Sequence, residues 1–191
     1  MRACLVALVV PFCFGCGPPP TVDRATVAPG FKQASAQELF AQARARQAQG
    51  DLLGAEQYFA AAMERGYDPA VAVKSLLDVC VASSRYQSAL GHAQNYLAEH
   101  PADWNLRFLV ATLQQALGNT AEAKAELERV ISEQPSHAPA HYALAVLLRD
   151  GLGDPAAAVE RYEHYLSLAP GGEHAIEVRA WLKSHGNGAT P

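Results

Sequence analysis

Side chains that could act as nucleophiles, acids, bases or metal ligands are scattered along this 191-residue chain, and their spacing matches no catalytic motif. The sequence has no HExxH, Walker, GxSxG or CxxC pattern. Residues 151–156 fit GxGxxA, but they follow a helical pattern and Pro155 removes a phosphate-binding N–H, so they predict a turn. We therefore predict no catalytic residue, no cofactor and no small-molecule substrate.

Two histidines have a spacing that could serve a metal ion. His137 and His141 are four residues apart, which would place them on one face if both were helical. Pro139 lies between them, so we expect the helix to begin beside it and to leave His137 outside. A surface or capping role is favoured, and no metal ligand is predicted.

Composition limits the classes of protein that this chain can represent. Apolar residues make up 50% of the chain and charged residues 18%, which is sufficient for a buried core and atypical of a disordered tail. The net charge is −4 and the isoelectric point is about 5.9. A protein that binds nucleic acid through a basic face is therefore excluded, and no nucleic-acid partner is expected.

The N-terminal segment has the pattern of an export signal. Arg2 precedes an apolar run over residues 3–14, which is too short to span a bilayer. The run ends at Gly15-Cys16 and resembles the lipobox of bacterial lipoproteins. The resemblance implies that residues 1–15 are removed, that Cys16 is acylated, and that Gly17 permits sorting to the outer membrane, facing the periplasm. Ordinary secretion after a small-x-small site is the alternative.

The segment after the acylated cysteine is expected to be a spacer. Residues 16–34 are rich in Pro and Gly and have no helical period, which predicts a flexible tether. Of the four cysteines, only Cys80 then lies in the folded part, so an internal disulfide is excluded. It stands in an apolar helical stretch, which favours a buried structural thiol.

From residue 35 to 171 the chain repeats a pair of amphipathic helices. Units begin at Ala36, Ala70, Trp104 and Ala138, that is, every 34 residues, and the fourth unit gains one residue in its turn over residues 149–154. Small residues recur at position 20 of every unit and at position 8 of units 1, 3 and 4, and Pro stands at position 32 in units 2 to 4. This pattern resembles the tetratricopeptide repeat (TPR) over residues 36–171.

The resemblance implies an all-α superhelical solenoid of about four helix–turn–helix units. Residues 172–184 are amphipathic and are expected to form a C-terminal capping helix, because a solenoid needs a polar outer face at its end. Its apolar positions include Ile176, Val178 and Trp181. Residues 185–191 are expected to form a loose tail.

In TPR domains the first helix of each unit lines a groove that binds partners. Carried over by position, the predicted groove consists of Phe40, Arg44, Lys74, Asp78, Phe108, Thr112, Gln115, Tyr142 and Arg149. The aromatic residues at position 5 are either anchors for a partner or packing against the next unit, and both interpretations stay open. With Phe40 and Arg44 in the first unit, the clamp that some TPR domains use for a C-terminal carboxylate is not expected.

These features together predict a lipid-anchored adaptor rather than an enzyme. A groove of mixed polarity suits an extended peptide or an amphipathic helix of another cell-envelope protein. The plan is similar to that of pilotin-type TPR lipoproteins. The main alternative is a structural envelope component that associates with itself, and an unrecognised enzyme is less favoured.

Overall fold

The computed structural model describes residues 33–185, and residues from 34 onward belong to one compact unit. The predicted export signal, Cys16, nearly all of the tether and the tail after residue 185 lie outside the described residues. No helix in the described range is both long and apolar enough to cross a membrane.

Residues 33–185 form nine α-helices and no strand. The helices are α1 Ala36–Ala48, α2 Leu52–Glu64, α3 Pro69–Ala82, α4 Tyr86–Glu99, α5 Trp104–Ala116, α6 Thr120–Glu133, α7 Ala138–Val146, α8 Pro155–Leu168 and α9 Ala175–His185. The first helix of every unit begins within one residue of its predicted start. The all-α solenoid of four helix pairs and a final helix is therefore confirmed, although α9 starts three residues later than predicted.

Side-chain caps fix where several helices begin. Ser35 and Glu38 form a capping box at α1, with the Ser35 N–H donating to Glu38 Oε2 at 2.8 Å. Asp68 accepts from two backbone N–H groups at the start of α3. Asn119 and Glu122 also have the spacing of a capping box, but no such box forms, because the Asn119 amide instead donates to Gln114 Oε1 at 2.7 Å.

The repeat positions 8, 20, 24 and 27 form the core, and every one of them is at most 8% exposed. Alanine at position 20 of every unit, and at position 8 of units 1, 3 and 4, allows close helix contact. A larger residue at position 24, at position 27 or at both fills the adjoining space in each unit. These residues are Ala43, Ala55, Phe59 and Ala62 in unit 1; Leu77, Ala89, Ala93 and Tyr96 in unit 2; Ala111, Ala123, Leu127 and Val130 in unit 3; and Ala145, Ala158, Tyr162 and Tyr165 in unit 4.

The turn inside each unit requires a left-handed residue. Gly50, Gly118 and Gly153 adopt φ values of 80°, 79° and 64° at equivalent positions. In unit 2 the same position is held by Ser84 with φ 57°. A residue with a Cβ is strained in this region, so unit 2 contains a turn that glycine would suit better.

The extra residue of unit 4 is accommodated inside a helix. After α7 the chain continues as a π-helical turn, Leu147–Gly151, in which the Leu152 N–H donates to the Leu147 carbonyl at 3.0 Å. The Asp154 N–H then reaches the Leu148 carbonyl at 2.8 Å. In unit 1 the equivalent bond joins Asp51 to Arg46 at 3.0 Å, so the wider turn restores the geometry of the other units.

The final helix packs through part of its predicted apolar face. Val178 is 1% exposed, and the Trp181 ring lies 5.0 Å from that of Tyr162. Ile176 is 82% exposed, so its predicted place on the packed face is wrong. Because α9 begins at residue 175, its inward stripe follows Ala175 and Val178, and Ile176 points elsewhere.

Candidate binding groove

A cavity of about 550 Å³ lies between the first helices of units 3 and 4, at the C-terminal end of the solenoid. It brings together four predicted groove residues, Phe108, Thr112, Gln115 and Tyr142. The rest of its wall is formed by Ala138, Pro139, Ala143, Val146, Tyr165, Ala169, Gly172, Glu173 and His174. The cavity is thus largely apolar with a few polar groups, as binding pockets commonly are.

The helix period explains why α5 contributes three of these side chains. Phe108, Thr112 and Gln115 stand at i, i+4 and i+7 and therefore share one face. On the opposite wall Tyr142 projects from α7. The link between α8 and α9 closes one end, and it passes close to Tyr165, where a Cβ at Gly172 would stand 2.5 Å from the Tyr165 hydroxyl. Glycine therefore permits this close approach.

Polar contacts hold the far wall of the cavity. The Tyr142 ring stacks on His174 with centroids 3.9 Å apart, and its hydroxyl faces Glu177 Oε2 at 3.4 Å. The His174 backbone N–H donates to the Tyr165 hydroxyl at 3.1 Å. Burial and the nearby Glu177 carboxylate raise the pKa of Tyr142. The phenol therefore stays neutral and supplies a partly exposed, amphipathic ring to the cavity.

A second cavity of about 480 Å³ lies on the other side of α5, between α3 and α5. Lys74 and Asp78, both exposed, are two predicted groove residues that line it. Its wall also contains Val73, Leu77, Leu106, Leu109, Ala70, Asp103 and Asn105. Helix α5 therefore separates two cavities, one largely apolar with aromatic rings and one with an apolar base and charged side chains.

The aromatic residue predicted for unit 1 packs instead of lining a cavity. The Phe40 ring stacks on Tyr67 with centroids 4.1 Å apart and meets Phe59 edge-on at 5.1 Å. For Phe40 the packing interpretation is therefore favoured, whereas Phe108 and Tyr142 face a cavity. Arg44 is exposed on α1 and lines neither cavity.

Arg149 lies in the π-helical turn and lines neither cavity. Its guanidinium pairs with both Asp150 carboxylate oxygens at 2.7 Å, and this pairing lowers the pKa of Asp150. The guanidinium carbon also lies 5.8 Å from the Tyr162 ring centroid and 6.0 Å from that of Trp181. These contacts join the turn to α8 and α9, a structural use of the side chain.

The histidine pair does not form a shared site. His137 Nδ1 accepts from the Ala140 N–H at 3.1 Å and caps α7, as predicted. His141 is only 3% exposed, so a surface role for it is wrong. Its Nε2 donates to the Pro135 carbonyl at 3.0 Å, and burial lowers its pKa. The ring is therefore held neutral within the core.

The polar and aromatic cavity residues that the predicted groove does not include are Tyr165, Glu173 and His174. Tyr165 stands at repeat position 27 and serves both packing and the cavity, since it is 4% exposed and lines the cavity. Glu173 and His174 lie in the link between α8 and α9, outside the repeat. A count of repeat positions alone carries no signal for such residues.

Comparison with known proteins supports the fold. A family model described as a tetratricopeptide repeat matches residues 81–147. A solved TPR protein from Parabacteroides merdae is 22% identical with a TM-score of 0.68, and the match covers 80% of this chain but only 60% of that one. This chain thus corresponds to less than two thirds of that relative. Among curated proteins, none matches the sequence.

Two further solved structures are similar. YrrB, described as a TPR protein with an unusual peptide-binding site, is 19% identical with a TM-score of 0.64, over 76% of this chain and 74% of that one. MamA is 16% identical with a TM-score of 0.66, over 79% and 82%. At these identities the similarities show the fold alone. The TPR fold is typical of scaffolds for protein–protein interaction.

Proposed function

We propose that this chain is a non-enzymatic, lipid-anchored adaptor that binds a segment of another cell-envelope protein. The observation that carries the proposal is the cavity between Phe108 and Tyr142, because it offers partly exposed aromatic rings beside apolar walls. Aromatic residues in such pockets are the usual anchors of binding energy. The peptide-binding site named for the structurally similar YrrB supports a ligand of this kind.

The chemistry of the two cavities suggests how a partner segment would bind. An apolar side chain of the partner would insert between Phe108 and Tyr142. The segment would then cross α5 and meet Lys74, Asp78 and Asp103 at the second cavity. An extended peptide or an amphipathic helix can present apolar and charged side chains in this order.

Acylation at Cys16 would anchor the adaptor to the outer membrane, with the solenoid facing the periplasm. Anchoring raises the local concentration of a captured partner near that membrane. The Gly15-Cys16 motif supports this part of the proposal. A fatty-acid probe should label the intact protein and not Cys16→Ala. Equal labelling of both forms, or none of either, would disprove the anchor and leave the groove untested by that experiment.

The groove is tested by crosslinking in cells, followed by purification and mass spectrometry. Gln115→Arg places a charge in the apolar cavity without removing core volume. We expect it to reduce capture of the partner about tenfold, since a buried charge needs a compensating group. Ala116→Arg, at an exposed neighbour on α5, is the matched control and should capture normally.

A second variant removes the aromatic anchors themselves. Phe108→Ala combined with Tyr142→Ala should also lose the partner, while circular dichroism confirms that the helices remain. Capture of the same partner by all variants would refute the groove as the site. Light scattering on the form without Cys16 tests the alternative. A stable homo-oligomer would favour the self-associating component, and a monomer would favour the adaptor.

A further inference from the structure

Three side chains with metal-ligating atoms converge in unit 1 and unit 2, outside both cavities. Glu56 lies on α2, Cys80 near the end of α3 and His92 on α4. Their ligand atoms all lie within 4.8 Å of one another. No spacing in the sequence reveals this cluster, because its members come from three helices.

Two of the three ligands are buried. Cys80 is fully buried and Glu56 is 7% exposed, whereas the His92 side chain is 31% exposed and connects the cluster to solvent. A buried carboxylate is unfavourable unless its oxygens are compensated. Glu56 Oε2 lies 3.1 Å from an Arg85 nitrogen, but the geometry is not that of a hydrogen bond. The carboxylate is therefore only partly satisfied by the protein.

The separation of Glu56 and His92 matches two ligands of a tetrahedral ion better than a strong hydrogen bond. Glu56 Oε1 and His92 Nε2 are 3.4 Å apart, which is long for a hydrogen bond. Two ligands bound to tetrahedral zinc at about 2.0–2.1 Å are separated by about 3.3–3.4 Å. The Cys80 sulfur lies within 4.8 Å of both atoms, and metal binding would draw it to the zinc–sulfur distance of about 2.3 Å.

We propose that Glu56, Cys80 and His92 bind one divalent transition-metal ion, with water in the fourth position. A thiolate, an imidazole and a carboxylate together favour zinc over magnesium or calcium. On binding, Cys80 Sγ loses its proton to solvent, and the two anionic ligands balance the charge of the ion. Arg85 would hold Glu56 Oε2 and leave Oε1 free for the metal, as supporting residues do in known metal sites.

Such an ion would join α2, α3 and α4 and so fasten unit 1 to unit 2. This is a role separate from the proposed groove, since none of the three ligands lines either cavity. The competing state is a metal-free polar cluster in which the same groups contact one another directly. Titration with metal distinguishes the two.

Cobalt(II) is the probe, because a thiolate ligand gives it a charge-transfer absorption and a tetrahedral site gives it visible bands. The full chain in detergent would carry Ser in place of Cys4, Cys13 and Cys16, so that Cys80 is the only thiol. We expect one Co²⁺ per chain, with the thiolate band, and displacement of Co²⁺ by Zn²⁺.

Variants assign the ligands. Cys80→Ser should abolish the thiolate band, and Glu56→Gln and His92→Gln should each weaken binding at least about tenfold. His92 is partly exposed, so His92→Gln should keep the fold even if Cys80→Ser does not. The matched control is His164→Gln, at an exposed histidine on α8, which should bind normally.

Two results would overturn the proposal. One is the absence of a thiolate band in the presence of excess Co²⁺. The other is a band of unchanged affinity in both Glu56→Gln and His92→Gln, which would indicate adventitious binding to the thiol alone.

Discussion

Replacing Ser84 with glycine should stabilise the protein. Ser84 is exposed and adopts φ 57° in the turn between α3 and α4, where units 1, 3 and 4 have glycine. Its backbone N–H donates to the Val81 carbonyl at 2.9 Å, a bond that glycine would keep. The substitution therefore removes only a strained Cβ and a hydroxyl group.

The expected gain follows from two opposing terms. A residue with a Cβ in the left-handed region costs about 1–2 kcal/mol. Glycine gains freedom in the unfolded chain, which opposes this by about 0.5–1 kcal/mol. The net stabilisation is about 0.5–1 kcal/mol, which corresponds to a rise in Tm of about 1–4 °C for a domain of this size.

Urea unfolding followed by circular dichroism measures this change. The matched control is the reverse substitution, Gly118→Ser, at the equivalent turn of unit 3. An added Cβ at Gly118 meets no atom within 4 Å, so steric conflict cannot contribute. This control should be destabilised by about the same amount, about 0.5–1 kcal/mol.

The essential result is that Ser84→Gly raises the free energy of unfolding and Gly118→Ser lowers it. If Ser84→Gly has no effect or destabilises, while Gly118→Ser is tolerated, then left-handed strain does not distinguish the turn of unit 2. A change in the urea m-value would instead indicate an effect on the unfolded state or on cooperativity along the repeats.

Three further predictions concern aromatic residues. The Tyr162 hydroxyl is buried without a hydrogen-bond partner, and burial raises its pKa from 10.0 to about 12. Tyr162→Phe should therefore be neutral or stabilise the protein by about 1 kcal/mol in urea unfolding. Tyr165→Phe loses the hydrogen bond from the His174 N–H and should cost about 1 kcal/mol in the same assay. The unfolded chain loses the Tyr162 proton first as pH rises above 10, so native stability should fall by about 1.4 kcal/mol by pH 11, and Tyr162→Phe should abolish that part of the loss. Phe40→Ala should cost about 3 kcal/mol because Phe40 is packed between Phe59 and Tyr67, and a cost below about 1 kcal/mol would contradict the packing role.

The fold could be predicted because each repeat unit has the same types of residue at the same positions. Alanine at position 20 of every unit marks where two helices touch, and the observed first helices begin within one residue of the predicted starts. The capping box at Ser35 also follows from the local sequence, since Ser35 and Glu38 are only three residues apart. Local rules failed at Asn119, where Gln114 competes for the side chain across the turn.

The candidate site was less predictable, because its contacts cross units. The packing of Phe40 depends on Tyr67, which occupies the position where the later units have proline. His174 reaches the cavity from a link that belongs to no repeat. Tertiary contacts of this kind leave no periodic trace in the sequence.

Because of the π-helical turn after α7, the number of residues in a repeat unit does not fix the distance between the residues that contact each other within it. One additional residue entered unit 4, yet Ala145 and Ala158 still meet in the core, and the following helix remains in phase. The extra residue is accommodated by one wider helical turn and not by a longer loop. Tolerance to insertion can thus reside within regular structure, and a solenoid is better aligned on its buried alanines than on a fixed period.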